Sequence, residues 1–223
     1  SLDINLLPDN FKGSDTKLLI SDMDSTLIAI ECIDEIADYM NIKDQVSAIT
    51  EAAMRGELDF EGSLAERVGL LKGLKTQTLQ QVYDERLELN PGAEDLIAGL
   101  KANNIRFALV SGGFTFFTDR LKETLKLDYT RANVLAQTDG KLSGKVEGGI
   151  IGAQAKADFL HELCAELNIQ PNQVIAVGDG ANDLLMMKEA GLSVAYHAKP
   201  AVQAKASTAL NYRGLDAILD FLE

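Results

Sequence analysis

The sequence predicts an α/β fold: a doubly wound parallel-sheet (Rossmann-like) core with an inserted helical cap domain. Two observations carry this. Short apolar runs, several of them ending in a polar or glycine-rich turn, alternate with segments of helical period, as in a parallel sheet covered on both faces. Residues 33–88 break the alternation, with helical spacing, no proline and no convincing strand. The 223 residues divide into a lead-in (1–16), a core (17–32 and 89–223) and the cap (33–88).

In chain order, Pro8 and Gly13 interrupt a polar lead-in that is expected to be loosely held. Residues 17–22 (KLLISD) are a short apolar run, the mark of a buried parallel strand. In the cap, Ile33, Ile36, Ala37 and Met40 recur at helical spacing, as do Leu64, Val68 and Leu71. Asn90-Pro91 opens the next helix, with proline near its first turn. Residues 106–111 (RFALVS) form a second buried strand and 114–126 a helix. Residues 129–150 read as a strand pair with tight turns at Asp139-Gly140 and Ser143-Gly144. A helix over 153–168, a strand over 174–178, a helix over 183–190 and a strand over 192–196 precede C-terminal helices.

The formal net charge of -13 repels nucleic acid and anionic membrane, so neither is expected as a partner. An anionic substrate must then meet locally placed cations. Cys32 and Cys164 have no metal-type spacing and read as reduced thiols. No apolar run approaches the roughly 20 residues that cross a bilayer. A cytoplasmic protein is the expectation.

The chemistry gathers at strand ends, where an open α/β sheet binds its ligands. Asp22-Met-Asp24-Ser-Thr26 follows the first strand, Ser111-Gly112-Gly113 the second, and Gly178-Asp179-Gly-Ala-Asn182-Asp183 the third. Asp22 and Asp24 can face one pocket, where one serves as nucleophile while the other handles protons. Asp179 with the Asp22 carboxylate offers hard oxygen ligands suited to Mg²⁺. Asp183 reads as a supporting residue, its plain alternative being a helix cap. Gly112 and its neighbours expose backbone N–H groups to an anion. Lys156 taken alone is an ordinary surface lysine. Its order among the three turns makes it a phosphate-neutralising cation.

These motifs resemble those of the haloacid dehalogenase superfamily, from Lys17 to the C-terminus. Within it, DMDSTLIAIECIDEIA (22–37), FEGSLAERVGLL (60–71), SGGF (111–114), AQAKADFL (153–160), VGDGANDLLMM (177–187) and AYHAKP (195–200) resemble the phosphoserine phosphatases. The resemblance implies hydrolysis of L-phosphoserine to L-serine, the last step of serine biosynthesis, through a phosphoaspartyl intermediate. Asp22 would attack phosphorus, and Asp24 would serve as general acid and then base. Mg²⁺ would sit on the Asp22 carboxylate, the Asp24 backbone carbonyl and Asp179. Ser111, Gly112 and Lys156 would bind phosphate with Asn182 close by, and Asp183 would support Lys156. Glu31 would face the substrate ammonium and Arg67 its carboxylate. An Arg fork suits a carboxylate, although Glu31 could equally be an N-terminal helix acid and Arg67 a solvated residue. Met54 and Phe60 could shape an apolar wall of the pocket or simply pack in the core. Relatives of this kind often carry an N-terminal regulatory domain, for which these 223 residues have no room.

Two alternatives stay open within the superfamily: phosphate transfer from phosphoserine to homoserine, or hydrolysis of another small phosphate. A third is a non-enzymatic receiver that is phosphorylated on Asp. Asp24 argues against the receiver, because a base placed there shortens the life of an acyl phosphate.

Overall fold

The computed structural model describes residues 2–54 and 57–222, the side chains of residues 51, 53 and 54 excepted. Its strands are β1 (Leu18–Ser21), β2 (Arg106–Phe114), β3 (Tyr129–Thr138), β4 (Lys141–Glu147), β5 (Val174–Gly178), β6 (Leu192–Tyr196) and β7 (Thr208–Leu210). They form one sheet in the order β4-β3-β2-β1-β5-β6-β7, parallel except for β4, which runs antiparallel to β3. Four helices follow β1: α1 (Cys32–Tyr39), α2 (Lys43–Met54), α3 (Phe60–Leu70) and α4 (Gln77–Glu85). The others are α5 (Ala93–Ala102), α6 (Thr115–Leu125), α7 (Ala153–Leu167), α8 (Leu184–Glu189) and α9 (Pro200–Gln203).

Strand β1 shows why the apolar runs are strands. Leu18 and Ile20 face a core shared with Val110, Leu160 and Leu163, while Leu19 faces the opposite core beside Leu109 and Val177. These three apolar residues of β1 are completely buried, each contributing roughly 1.5–3 kcal/mol. From β1 the chain fills the sheet outward through β2 and β3, and later through β5, β6 and β7 on the other side. The switch point therefore lies between β1 and β5, and a crevice opens at their carboxyl ends.

Three details differ from the sequence reading. The hairpin turn does fall at Asp139-Gly140, both at positive φ (51° and 72°). Ser143-Gly144, however, lies inside β4. Gly144 has φ +80°, and a Cβ there would stand 2.9 Å from the Lys72 Cβ, so this glycine admits the end of α3 against the strand. The main chain binds the same hairpin to the α3–α4 connection: Gly73 N–H donates to the Leu142 carbonyl, and Leu142 N–H to that of Leu74, each at 2.8 Å.

The C-terminal segment is a short helix, strand β7 and a 3-10 turn (Leu215–Leu222), not helices throughout. The lead-in is also tied down. Asp3 accepts the N–H groups of Asn211, Tyr212 and Arg213 (2.8–3.1 Å), and Asn5 exchanges two hydrogen bonds with the Ala209 backbone. Side chains thus occupy backbone groups of β7, at the sheet's edge.

Candidate active site

Register places the site. Ser21 pairs with Leu109 on one side and Val177 on the other, and Asp22 N–H donates to the Val177 carbonyl at 3.0 Å. The chain then makes one wide turn, closed by Ile28 N–H on the Met23 carbonyl, with Ser25 at φ 56° inside it. Asp22 and Asp24 therefore leave a rigid strand end rather than a loose loop. Thr26, completely buried, donates its hydroxyl to Asp179 Oδ1 at 2.9 Å and so joins the ends of β1 and β5.

Lys156, in the first turn of α7, is completely enclosed. Its Nζ donates to Asp22 Oδ1 at 2.8 Å and to Asp183 Oδ1 at 2.7 Å. Asp183 Oδ2 accepts Gly180 N–H at 3.1 Å, so both its oxygens are taken. One carboxylate oxygen each from Asp22, Asp179 and Asp183 lie within 4.8 Å of one another. Ser111 is buried in the last half of β2, with Gly112 beside it. Phe60 of α3 lies over that glycine, its Cζ 2.9 Å from where a Cβ would stand.

The remaining expected residues surround this cluster. Glu31 accepts the Ser25 hydroxyl at 2.6 Å. Arg67 is half-buried on α3, its Nε held by the Ser63 carbonyl at 3.2 Å, and its charge acts on Asp34, Glu31 and Asp24. Asn182 is half-buried in the Ala181–Asp183 turn, with no side-chain hydrogen bond to the cluster among the described residues. The Met54 side chain lies outside the described residues. Sequence reasoning gave no roles to Thr26, Ser25 and Cys32, whose N–H donates to Asp24 Oδ1 at 3.3 Å. Thr26 was within reach, since it closes the DxDxT motif. Two surface cavities, of about 580 and 460 Å³, lie elsewhere, around Lys122 and Lys101. The site is recognised by its buried polar groups.

A family model of the haloacid dehalogenase-like hydrolases matches residues 16–191. The chain belongs to that family. It is 53% identical over 225 residues to the phosphoserine phosphatase of Polaromonas sp., covering 99% of this chain and 95% of that protein. A solved phospho-aspartyl intermediate analogue of phosphoserine phosphatase superposes with TM-score 0.87 at 42% identity, covering 93% of this chain and 99% of that one. A substrate-bound phosphoserine phosphatase complex gives TM-score 0.87 at 41% identity, with the same coverage.

Electrostatics show what this hydrolase's cluster lacks. Burial pushes the Asp22 carboxyl well above its ordinary range, and Asp183 adds to the rise against the opposing pull of Lys156. Burial and Glu31 hold Asp24 up at about 7, opposed by hydrogen bonds from Cys32. Burial and Asp183 raise Asp179 to about 6, opposed by the Thr26 hydroxyl. Burial alone would depress Lys156, but Asp183 and Asp22 outweigh it and hold its ammonium above the ordinary value. One enclosed ammonium thus faces three carboxylates. The excess negative charge and hard oxygen donors fit a divalent cation. Asp22 and Asp179 each keep one oxygen clear of these hydrogen bonds, whereas each oxygen of Asp183 already accepts one.

Proposed function

We propose that this hydrolase removes phosphate from L-phosphoserine with Asp22 as nucleophile, Mg²⁺ as metal and L-serine as product, the last step of serine biosynthesis in the cytoplasm. The observation that carries the reading is Lys156 bridging Asp22 and Asp183 in a buried cluster beside Asp24. An Asp22 oxygen bonds to phosphorus as the bond to the serine oxygen breaks, and Asp24 gives that oxygen a proton. Water then attacks the phosphoaspartate, Asp24 takes its proton, and phosphate leaves with Asp22 restored. The Ser111 hydroxyl, Gly112 N–H and Lys156 Nζ receive the phosphate oxygens, with Asn182 close by. Lys156 and the amides stabilise charge as it builds. Asp22, the Asp24 backbone carbonyl and Asp179 would hold Mg²⁺, which supplies positive charge against the phosphate and the carboxylates.

Residues 33–88 act as the cap over the core of residues 17–32 and 89–223. Glu31, just ahead of α1 where the chain enters the cap, receives the ammonium, oriented by Ser25, and Arg67 within the cap receives the carboxylate. Phe60 covers the phosphate end and excludes water. Two free, buried cysteines and the absence among the described residues of any helix able to cross a membrane are compatible with the cytoplasm.

The first test is phosphate release from L-phosphoserine beside phosphothreonine and sugar phosphates; activity spread evenly over the panel would remove phosphoserine as the substrate. Arg67→Ala should cut kcat/KM for phosphoserine by about 10²-fold or more, the effect of leaving a buried charge unpaired, with a change of only a few-fold on p-nitrophenyl phosphate. Equal losses on both substrates would remove Arg67 from substrate choice.

The metal has its own signature. EDTA should stop turnover and Mg²⁺ restore it. Carboxyls held above their unfolded pKa bind protons more tightly in the folded state. Without metal, their contribution to stability therefore falls as pH rises from about 4 to 7. Mg²⁺ competes with those protons and should stabilise more at pH 7.5 than at 5.5. At a hundredfold excess over Kd the gain is about 2.7 kcal/mol, or roughly 5–10 °C in Tm. A Mg²⁺ shift as large at pH 5.5 as at 7.5 would contradict these carboxylates as the site.

A further inference from the structure

We propose that Asn133 is a positioning residue for the phosphate cradle, fixing the Gly112–Gly113 peptide and tying it to the approach to Lys156. This rests on reading Ser111 and Gly112 as phosphate ligands. Strand β3 follows β2 in register as far as Val110↔Arg131 and resumes at Phe114↔Asn133. Three residues of β2, Ser111 to Gly113, therefore face the single residue Ala132 of β3. Such a bulge re-aims the strand near a site and leaves ladder groups unpaired.

The Asn133 side chain fills that gap. It is buried, at 1% exposure. Its Nδ2 donates to the Gly112 carbonyl and its Oδ1 accepts Ile151 N–H, both at 2.8 Å. Turning the carboxamide over would set acceptor against acceptor and donor against donor, so its orientation is determined.

The first bond orients more than one atom. A trans peptide is planar, so a carbonyl held toward Asn133 turns the N–H of Gly113 the other way. That N–H donates to Ser111 Oγ at 2.8 Å. With the hydroxyl oxygen already accepting, its hydrogen is left to donate to a phosphate oxygen. The second bond holds Ile151, two residues ahead of α7, whose first turn carries Lys156. The Ile151 carbonyl oxygen would lie 3.5 Å from a Cβ on Gly112, so the two arms are neighbours. One amide sets the spacing between the donors from β2 and the cation from α7.

The test uses the full chain with Mg²⁺, hydrolysing p-nitrophenyl phosphate, with inorganic phosphate as the inhibitor. Asn133→Leu removes both bonds. Asn133→Asp keeps an acceptor for Ile151 N–H and turns the other arm against the Gly112 carbonyl. Leu96→Ala, a core truncation in α5, controls for lost stability. The Ki for phosphate should rise at least about tenfold in the Asn133 variants, as expected for losing charge-assisted hydrogen bonds, and less than twofold in Leu96→Ala. If Asn133→Leu does not fold, the Asp variant decides alone. Equal phosphate Ki values in the Asn133 variants and the control would overturn the inference. A parent enzyme indifferent to inorganic phosphate would instead overturn the cradle reading beneath it.

Discussion

Asp22→Asn is expected to lower turnover by on the order of 10⁴-fold or more, with the fold intact. The amide keeps the size of the carboxyl but cannot form the acyl phosphate, so the two-step route is closed. Stability should not suffer. Burial and the charges of Asp183 and Asp179 already disfavour an ionised Asp22, and a neutral amide relieves that repulsion. Lys156 meanwhile keeps its 2.7 Å bond to Asp183. Steady-state phosphate release beside a thermal melt separates the two effects. Covalent capture tests the mechanism directly: the parent, quenched during turnover and reduced with borohydride, should yield homoserine at position 22. Residual activity above about one per cent in the variant, or homoserine at another position, would sink the nucleophile assignment.

How this site was legible, and where it was not, follows from the range of the forces involved. Strand β1 could be read because burial on both faces demands a continuous apolar run, which KLLISD supplies. Lys156 could be read only from its order among three strand ends, since nothing local to AQAKADFL marks an enclosed ammonium. Strand β7 offers only three residues, too few for a period. Gly144 looked like a turn because a glycine at positive φ usually marks one; its reason is the end of α3 pressing on β4. Asn133 was invisible. A lone Asn in RANVLAQ carries no local signature, and its role exists only once β2 bulges beside it. The lead-in misled for the same reason: Asp3 and Asn5 are ordinary polar residues until β7 lies against them. Signals confined to one element, or carried by the order of motifs along the chain, survive in the sequence, whereas those that need a particular contact between two elements do not.

Lys156→Met should be the most costly single change to this site, because it acts on stability and chemistry together. The ammonium is enclosed between Asp22 and Asp183. Removing one partner of a buried pair leaves uncompensated charge and costs about 3–5 kcal/mol, or roughly 6–20 °C in Tm. The pH dependence fixes the cause. Lys156 has its folded pKa raised, so its contribution is complete below its ordinary value near 10.5 and is lost only as pH rises through the folded one. The parent therefore holds this contribution in full at pH 7.5. In the variant the buried Asp22, already held above its ordinary range, loses its cation and takes up a proton, which is easier in acid. The gap in Tm between parent and variant should accordingly narrow at pH 5.5, whereas a gap due to lost packing would stay constant. Turnover should fall about 10³-fold, the scale of losing one preorganised donor to developing charge. Mg²⁺ should recover part of the Tm by neutralising Asp22, but not the turnover, because no second cation then reaches the phosphate from α7. A Tm within 2 °C of the parent, or full activity restored by Mg²⁺, would show that the Lys156 charge is dispensable.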